Sequence, residues 1–256
     1  METALTDAPP DAPARATNIA ASAVMPEFDD TPRVPFYEND YFRHELRGGT
    51  LFNRSGTKMC YMPSELLIGL QKALEDETGP AWRVILKRCG QIWGKRVSRR
   101  FAREMSEYYG RPMYDLPMAE FAKLVESYFA YHGWGRLTLD FALAPSGILC
   151  ARLENSAFVE VLGASDLPVD SIISGLLAEL IAQVAERKDI ECYETECTAM
   201  GAACCRFVIG VAGRLGNVPK WVEEGSRHED VVARLGAAIP SASAAVGDGA
   251  NGAAAT

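Results

Sequence analysis

Residues 191–207 read ECYETECTAMGAACCRF, and the reading of that stretch decides the fold. Runs of mixed β-branched, aromatic and alternating residues at Asp189–Glu196 and Cys204–Val211 flank a six-residue loop, Thr198–Ala203, so two antiparallel strands are expected. Four cysteines, Cys192, Cys197, Cys204 and Cys205, fall within the stretch. Across such a ladder Cys197 approaches Cys205 or Cys204. Two thiolates with a carboxylate from Glu194 or Glu196 are then a beginning of a tetrahedral zinc site. Buried free cysteines that merely pack in a core would produce the same pattern.

Upstream, Leu167–Glu186 repeats apolar residues at three and four (Ile172, Ile173, Leu176, Leu177, Leu180, Ile181, Val184), which predicts a buried helix. Before it, Arg136–Leu143 and Ile148–Leu153 alternate around Pro145-Ser-Gly147 and predict a β-hairpin. Three helices are expected earlier. One opens at Pro63-Ser64-Glu65 with Leu66, Leu67, Leu70 and Leu74 on one face. A second runs from Ala81 to about Tyr109, and a third follows Pro117. Gly90 and Gly94 lie one turn apart in the second, each costing about 1 kcal/mol of helix propensity; close approach of another element or of a flat ligand would explain them. Tyr41–Tyr61 reads as one or two short strands around a turn at Gly48-Gly49 or Ser55-Gly56. Helices followed by an antiparallel sheet with one inserted helix make an α+β class.

The segment Glu194-x-x-Cys197-x-Ala199-x-Gly201-x-x-x-Cys205-x-Phe207 resembles the C-terminal signature of the 4-vinyl reductase domain family, found in a bacteriochlorophyll-synthesis protein and in the sensory domains of aromatic-responsive activators. Pro63-x-Glu65-Leu66-Leu67, Gly90, Trp134-Gly135, Asn155-Ser156 and Gly175 agree with it, over roughly Leu51 to Gly210. The resemblance implies helices packed on an antiparallel sheet enclosing an apolar pocket, closed by a C-terminal metal-binding hairpin. It implies a structural zinc on Glu194, Cys197 and Cys205. The family's further cysteine ligand, at the start of the last core helix, falls near Asp170 or Ser171; Asp170 or water would complete the shell there.

The resemblance also implies an accessory protein that binds a large apolar ligand, a tetrapyrrole, in chlorophyll or bacteriochlorophyll synthesis or photosystem assembly, with a pigment-synthesis or photosystem-assembly protein as partner. Two other functions stand beside it: a sensor for a small aromatic or lipid-like effector acting through a protein partner, and a vinyl reductase with an external electron donor. No phosphate-binding glycine loop, dinucleotide fingerprint or nucleophile elbow is present, so no hydride source is evident. Trp93, Tyr128, His132 and Trp134 are the candidate ligand-binding residues, with ordinary core packing as the alternative for the aromatics and dipole stabilisation for the helix-terminal histidine. Arg96, Arg99, Arg100 and Arg103 make the outward side of the second helix a candidate partner surface, for a protein or by peripheral membrane contact. Apolar helices in excess of what a small sheet can cover point to a homodimer.

The totals set the outer limits. A chain of 256 residues with 48% hydrophobic and 23% charged residues is an ordinary globular protein, and a net charge of −8 argues against general nucleic-acid affinity. Seven cysteines without an export signal fit reduced thiols or metal ligands, and no stretch is long and apolar enough to span a bilayer; a cytoplasmic protein is expected. Residues 1–35 and the Ala/Gly-rich 236–256 are expected as disordered tails, 36–212 as the ligand-binding domain, and 213–235 as a short helical extension.

Overall fold

The computed structural model describes residues 36–37 and 41–237. The expected tails lie outside these, apart from the last two residues of the final helix.

A small antiparallel sheet comes first: β1 (Phe42–Glu45), β2 (Thr50–Asn53) and β3 (Lys58–Met59), in that order. Both candidate turns are used, which gives three strands where one or two were expected. The main sheet comprises β4 (Arg136–Asp140), β5 (Ile148–Glu154), β6 (Ile190–Glu196) and β7 (Cys205–Val211), ordered β4-β5-β7-β6 and antiparallel throughout. The last strand therefore inserts between β5 and β6. Five helices complete this part: α1 (Ser64–Thr78), α2 (Trp82–Tyr109), α3 (Met118–Tyr131), α4 (Ala157–Leu162) and α5 (Ser171–Val184). The α+β class is as the periodicity indicates; α4 is an addition, nucleated by Ser156, whose hydroxyl accepts from the Phe158 and Val159 amides.

The principal helix contact is α2 against α5. A Cβ placed on Gly90 would stand 2.1 Å from the Ile172 carbonyl oxygen, and one on Gly175 would stand 2.2 Å from that of Lys87. Only glycine permits this backbone approach, so the helix-weakening residues in α2 are accounted for by α5 and need no flat ligand. Together these helices and α3 cover the inner face of the sheet, where Leu137, Leu153, Phe207 and Ile209 meet Ile173, Leu176 and Leu177 in one core.

The outer face is covered too. Residues expected as a short extension fold into α6 (Ala212–Leu215), α7 (Val218–Glu223) and α8 (His228–Ala237). Leu215, Val218, Val222, Val231 and Leu235 bury against Ile148 and Val208 as a second core. The alternation of β5 and β7 makes this necessary, because a strand buried on both faces needs a layer on each side. In contrast, α1 has no fully buried residue; Leu67 and Leu74 turn inward while Leu66 and Leu70 face solvent.

Candidate functional site

Two groups of side chains stand out. The first lies where β6 turns into β7. Strand alternation places Cys192 and Glu194 on the inner face, and a register shift between Glu194 and Glu196 breaks the alternation there. This irregularity leaves Glu194 inward and sends Glu196 outward, to Arg206, Arg227 and the His228 amide. On the facing strand Cys205 points inward and is fully buried. The alternatives left open by spacing are thus resolved: Glu194, Cys197 and Cys205 gather, with one ligand atom of each within 4.8 Å of the others.

Asp170 completes the neighbourhood. It stands at the N-cap of α5, yet its side chain makes no capping bond. Instead its Oδ1 accepts from the Ser156 hydroxyl at 2.9 Å, and its amide donates to Glu194 Oε2 at 2.7 Å. The remaining oxygens, Asp170 Oδ2 and Glu194 Oε1, are buried and have no hydrogen-bond partner among the described residues. Cys205 Sγ donates to Cys197 Sγ at 3.7 Å. Burial, then the nearby Cys197 charge, pushes the Asp170 carboxyl up to about 7 against the Ser156 bond, and burial with the Asp170 charge drives Glu194 well above its usual range. The Cys205 bond draws Cys197 down to about 6 while Cys205 itself holds its proton.

This donor set fits a divalent cation. Two thiolates on one tetrahedral zinc, at about 2.3 Å each, stand about 3.8 Å apart, close to the separation found. Two orphaned buried carboxylate oxygens are what the other positions require, since unpartnered buried acids are costly unless paired or metal-bound. A disulfide needs about 2.05 Å, and all seven cysteines are free.

The second group lies between α2, α3 and the turn after α3. Trp93, Tyr128, His132 and Trp134, separate in the sequence, form one ring cluster. Trp93 and Trp134 centroids are 4.7 Å apart, Tyr128 and Trp134 5.3 Å, Tyr128 and His132 4.1 Å, and His132 and Trp134 4.9 Å. The surroundings are more polar than an apolar pocket. Arg100, expected outward with Arg96, Arg99 and Arg103, instead turns inward and donates to the Tyr128 hydroxyl at 2.8 Å. The correction follows from helix geometry: at 100° per residue Arg100 falls at the border of the exposed arc, where α3 offers it a partner. Glu104, 2% exposed, lies one turn on, 3.8 Å from Arg100. Its Oε1 accepts from Asn53 at 3.1 Å, and Asn53 also reaches the Tyr41 hydroxyl.

Within this nest Tyr37 Oη, Arg100 Nε, Glu104 Oε2 and His132 Nε2 are buried and have no hydrogen-bond partner among the described residues. His132 Nδ1 sits 2.8 Å from the Tyr128 carbonyl, which can only accept. Nδ1 therefore carries the proton and Nε2 presents a lone pair, an acceptor. Burial lowers this imidazole to about 4, so it is neutral. Burial also pushes Tyr41 up to about 12 and raises Tyr37 and Tyr128, keeping all three as phenols.

Sequence reading missed Tyr37, Tyr41, Asn53, Glu104 and Ser156. Glu104 carried a signal, as an acid on the buried stripe of α2, and Ser156 carried one within the Asn155-Ser156 match to the family. A cleft of about 520 Å³ opens elsewhere, beside the outer face of the sheet, lined among others by Thr138, Asp140, Cys150, Arg152, Arg206 and His228.

Residues 149–211 match the family model of the 4-vinyl reductase domain. No curated protein matches the chain. Among solved structures, the phenol-responsive sensory domain of the transcription activator PoxR, with phenol, is similar at 18% identity and a TM-score of 0.56, over 72% of this chain and 90% of that one. It shows a shared fold. A trafficking protein particle complex subunit 3 from Naegleria fowleri, covalently bound to palmitic acid, aligns at 15% identity and a TM-score of 0.45, over 58% and 94% of the two chains. A vinyl-4-reductase family protein from Methanocaldococcus jannaschii aligns at 18% and 0.36, over 60% and 98%.

Proposed function

Because the chain carries a 4-vinyl reductase domain, matched over residues 149–211, we propose that it is a ligand-binding or sensing protein whose ligand is a single-ring hydroxy-aromatic held in the nest around Tyr128 and His132. One observation carries this reading: four buried polar atoms with no hydrogen-bond partner among the described residues adjoin a cluster of touching rings. Buried unpaired groups cost about 1–3 kcal/mol each, and a ligand that pairs them recovers that cost. A ring offers offset or edge contacts to Tyr128 and Trp134. Its hydroxyl donates to His132 Nε2 and accepts from Arg100 Nε or Tyr37 Oη. The phenol in the PoxR structure has this size and chemistry.

A tetrapyrrole has several times the area of any one of these rings. The one-ring reading is therefore preferred to the accessory pigment-binding role and to the vinyl reductase. Tryptophan fluorescence of the purified chain, with Trp93 and Trp134 in the cluster, tests it. Phenol should quench saturably, toluene should not, and Tyr128→Phe should weaken phenol binding about tenfold or more. No response to any single-ring hydroxy-aromatic, or an equal response to toluene, sinks the proposal. A pigment absorption shift on adding a porphyrin would favour the tetrapyrrole instead.

Zinc is the second part of the proposal. Glu194, Cys197 and Cys205 would hold it, with Asp170 as the fourth ligand in place of a cysteine. When bound, the ion supplies structural cross-linking of the β6–β7 hairpin to the start of α5. Ser156 holds the Asp170 carboxylate in place, as second-sphere partners do. A homodimer is in keeping with the solvent-facing Leu66, Ile68 and Leu70 of α1, and sedimentation equilibrium tests it.

A further inference from the structure

Helix α2 is buried on one side and carries an unusual exposed side. At 100° per residue, Val84, Arg88, Ile92, Lys95, Arg96, Arg99 and Arg103 fall within an arc of about 120°. All seven are exposed, and the buried residues Leu86, Gly90, Gly94, Val97 and Phe101 occupy the opposite arc. From Arg88 to Arg103 the stripe is about 22 Å long.

Several other cations of this protein have acids beside them: Lys87 holds Glu191, Arg136 and Arg152 hold Glu154, Arg187 holds Asp189, and Arg206 holds Glu196 and Glu229. Among the described residues no carboxylate forms an ion pair with Lys95, Arg96, Arg99 or Arg103. Glu104 faces inward, and Glu107 is the one acid at the edge of the arc. Like charges at i,i+3 and i,i+4, as in Lys95–Arg99, Arg96–Arg99, Arg96–Arg100 and Arg99–Arg103, weaken a helix. The whole chain carries −8, so this concentration of unpaired positive charge runs against its surroundings.

We infer that the outward face of α2 docks the chain peripherally on an anionic lipid surface, through Lys95, Arg96, Arg99 and Arg103 with Ile92 and Val84 as apolar contacts. Val84 and Ile92 are 71% and 53% exposed, interleaved with the cations as in interfacial helices, where apolar side chains enter the headgroup boundary and basic ones meet anionic lipid. The remaining acidic surface is repelled by the same lipid, so one orientation docks. Among the described residues no helix is long and apolar enough to cross a membrane, which makes such contact peripheral. Each basic residue near an anionic surface multiplies partition by about five at moderate salt, and four of them suffice for reversible attachment. The inference is independent of the ring nest and of the zinc site.

Co-sedimentation with vesicles tests it, using the full chain and phosphatidylcholine vesicles with or without phosphatidylserine. Binding is expected only with phosphatidylserine and should fall as salt rises. Arg96→Gln/Arg99→Gln/Arg103→Gln should weaken it on the order of a hundredfold. Arg43→Gln/Arg47→Gln, which removes two other exposed cations, should leave it near the parent value. Among the described residues the three α2 arginines make no bonds to the core, so an unchanged melting temperature separates lost docking from lost folding. Equal binding of the triple variant, equal loss in the control, or no binding to phosphatidylserine vesicles overturns the inference. Capture by poly-glutamate without vesicle binding also overturns it, in favour of an acidic protein partner.

Discussion

Substitution Gly90→Ala should destabilise this protein although alanine is the better helix former. Two effects of opposite sign compete. Replacing glycine inside α2 favours the helix by about 1 kcal/mol. Against this, the new methyl would meet the Ile172 carbonyl oxygen at 2.1 Å and the Gly175 Cα at 3.1 Å. The first contact is more than 1 Å short of ordinary contact, which begins near 3.4 Å. Its partner is backbone, which no rotamer change can move aside. The helices must separate, and a gap of that size forfeits a quarter to a half of each dispersion contact along the interface. Overpacking of this kind costs about 1–3 kcal/mol and more when backbone must shift. Taking the upper end, because the obstacle is backbone, and subtracting the helix gain leaves a net loss of about 2 kcal/mol, or roughly 4–8 °C in a domain of this size. Urea unfolding followed by far-UV circular dichroism measures it, with Gly69→Ala in α1 as the reference. A methyl on Gly69 meets nothing within 4 Å, so that variant should gain about 0.5–1 kcal/mol. A Gly90→Ala protein as stable as the parent would refute the claim that α2 and α5 touch backbone to backbone. Because Asp170 stands at the N-cap of α5 and α2 carries Arg100, the same variant should loosen both candidate sites.

Other outcomes follow from the same contacts. Elemental analysis should find about one zinc per chain, absent in Cys205→Ser, and chelation should lower the melting temperature of the parent but not of the variant. Tyr128→Phe strands the Arg100 guanidinium and should cost about 1–3 kcal/mol in urea unfolding; an effect below about 0.5 kcal/mol would mean that bond contributes little. His132 has a folded pKa of about 4, below its ordinary 6.5, so the unfolded chain binds more protons between those values. Its contribution to stability is thus complete above pH 6.5 and is lost as pH falls towards 4, by at most about 3 kcal/mol. His132→Asn should flatten that part of the urea-midpoint profile, and an unchanged slope would show that the imidazole is charged or exposed in the folded state.

Much of this protein is legible along the chain because local periodicity is a property of short segments. The step of about 3.6 in α2, α3 and α5 and the alternation of β4 to β7 mark which residues face inward whatever they face. The Cys197–Cys205 spacing across a hairpin, and the family resemblance it carries, belong to the same short range. Pairing across distance was left open. Which of Glu194 or Glu196, and of Cys205 or Cys204, turns inward depends on the shifted register between β6 and β7, and that in turn on β7 inserting beside β5. Arg100 turns inward only because α3 crosses α2 where Tyr128 can meet it, and Asp170 leaves its capping role only because Ser156 and Glu194 lie within reach. Residues 212–237 carry a helical apolar spacing, Val231 and Leu235 among it, but nothing along the chain says that they cover a second sheet face. The physical reason is that periodicity settles the inside of each element, while the identity of the neighbour is set by loop closure and by packing between segments far apart in the chain.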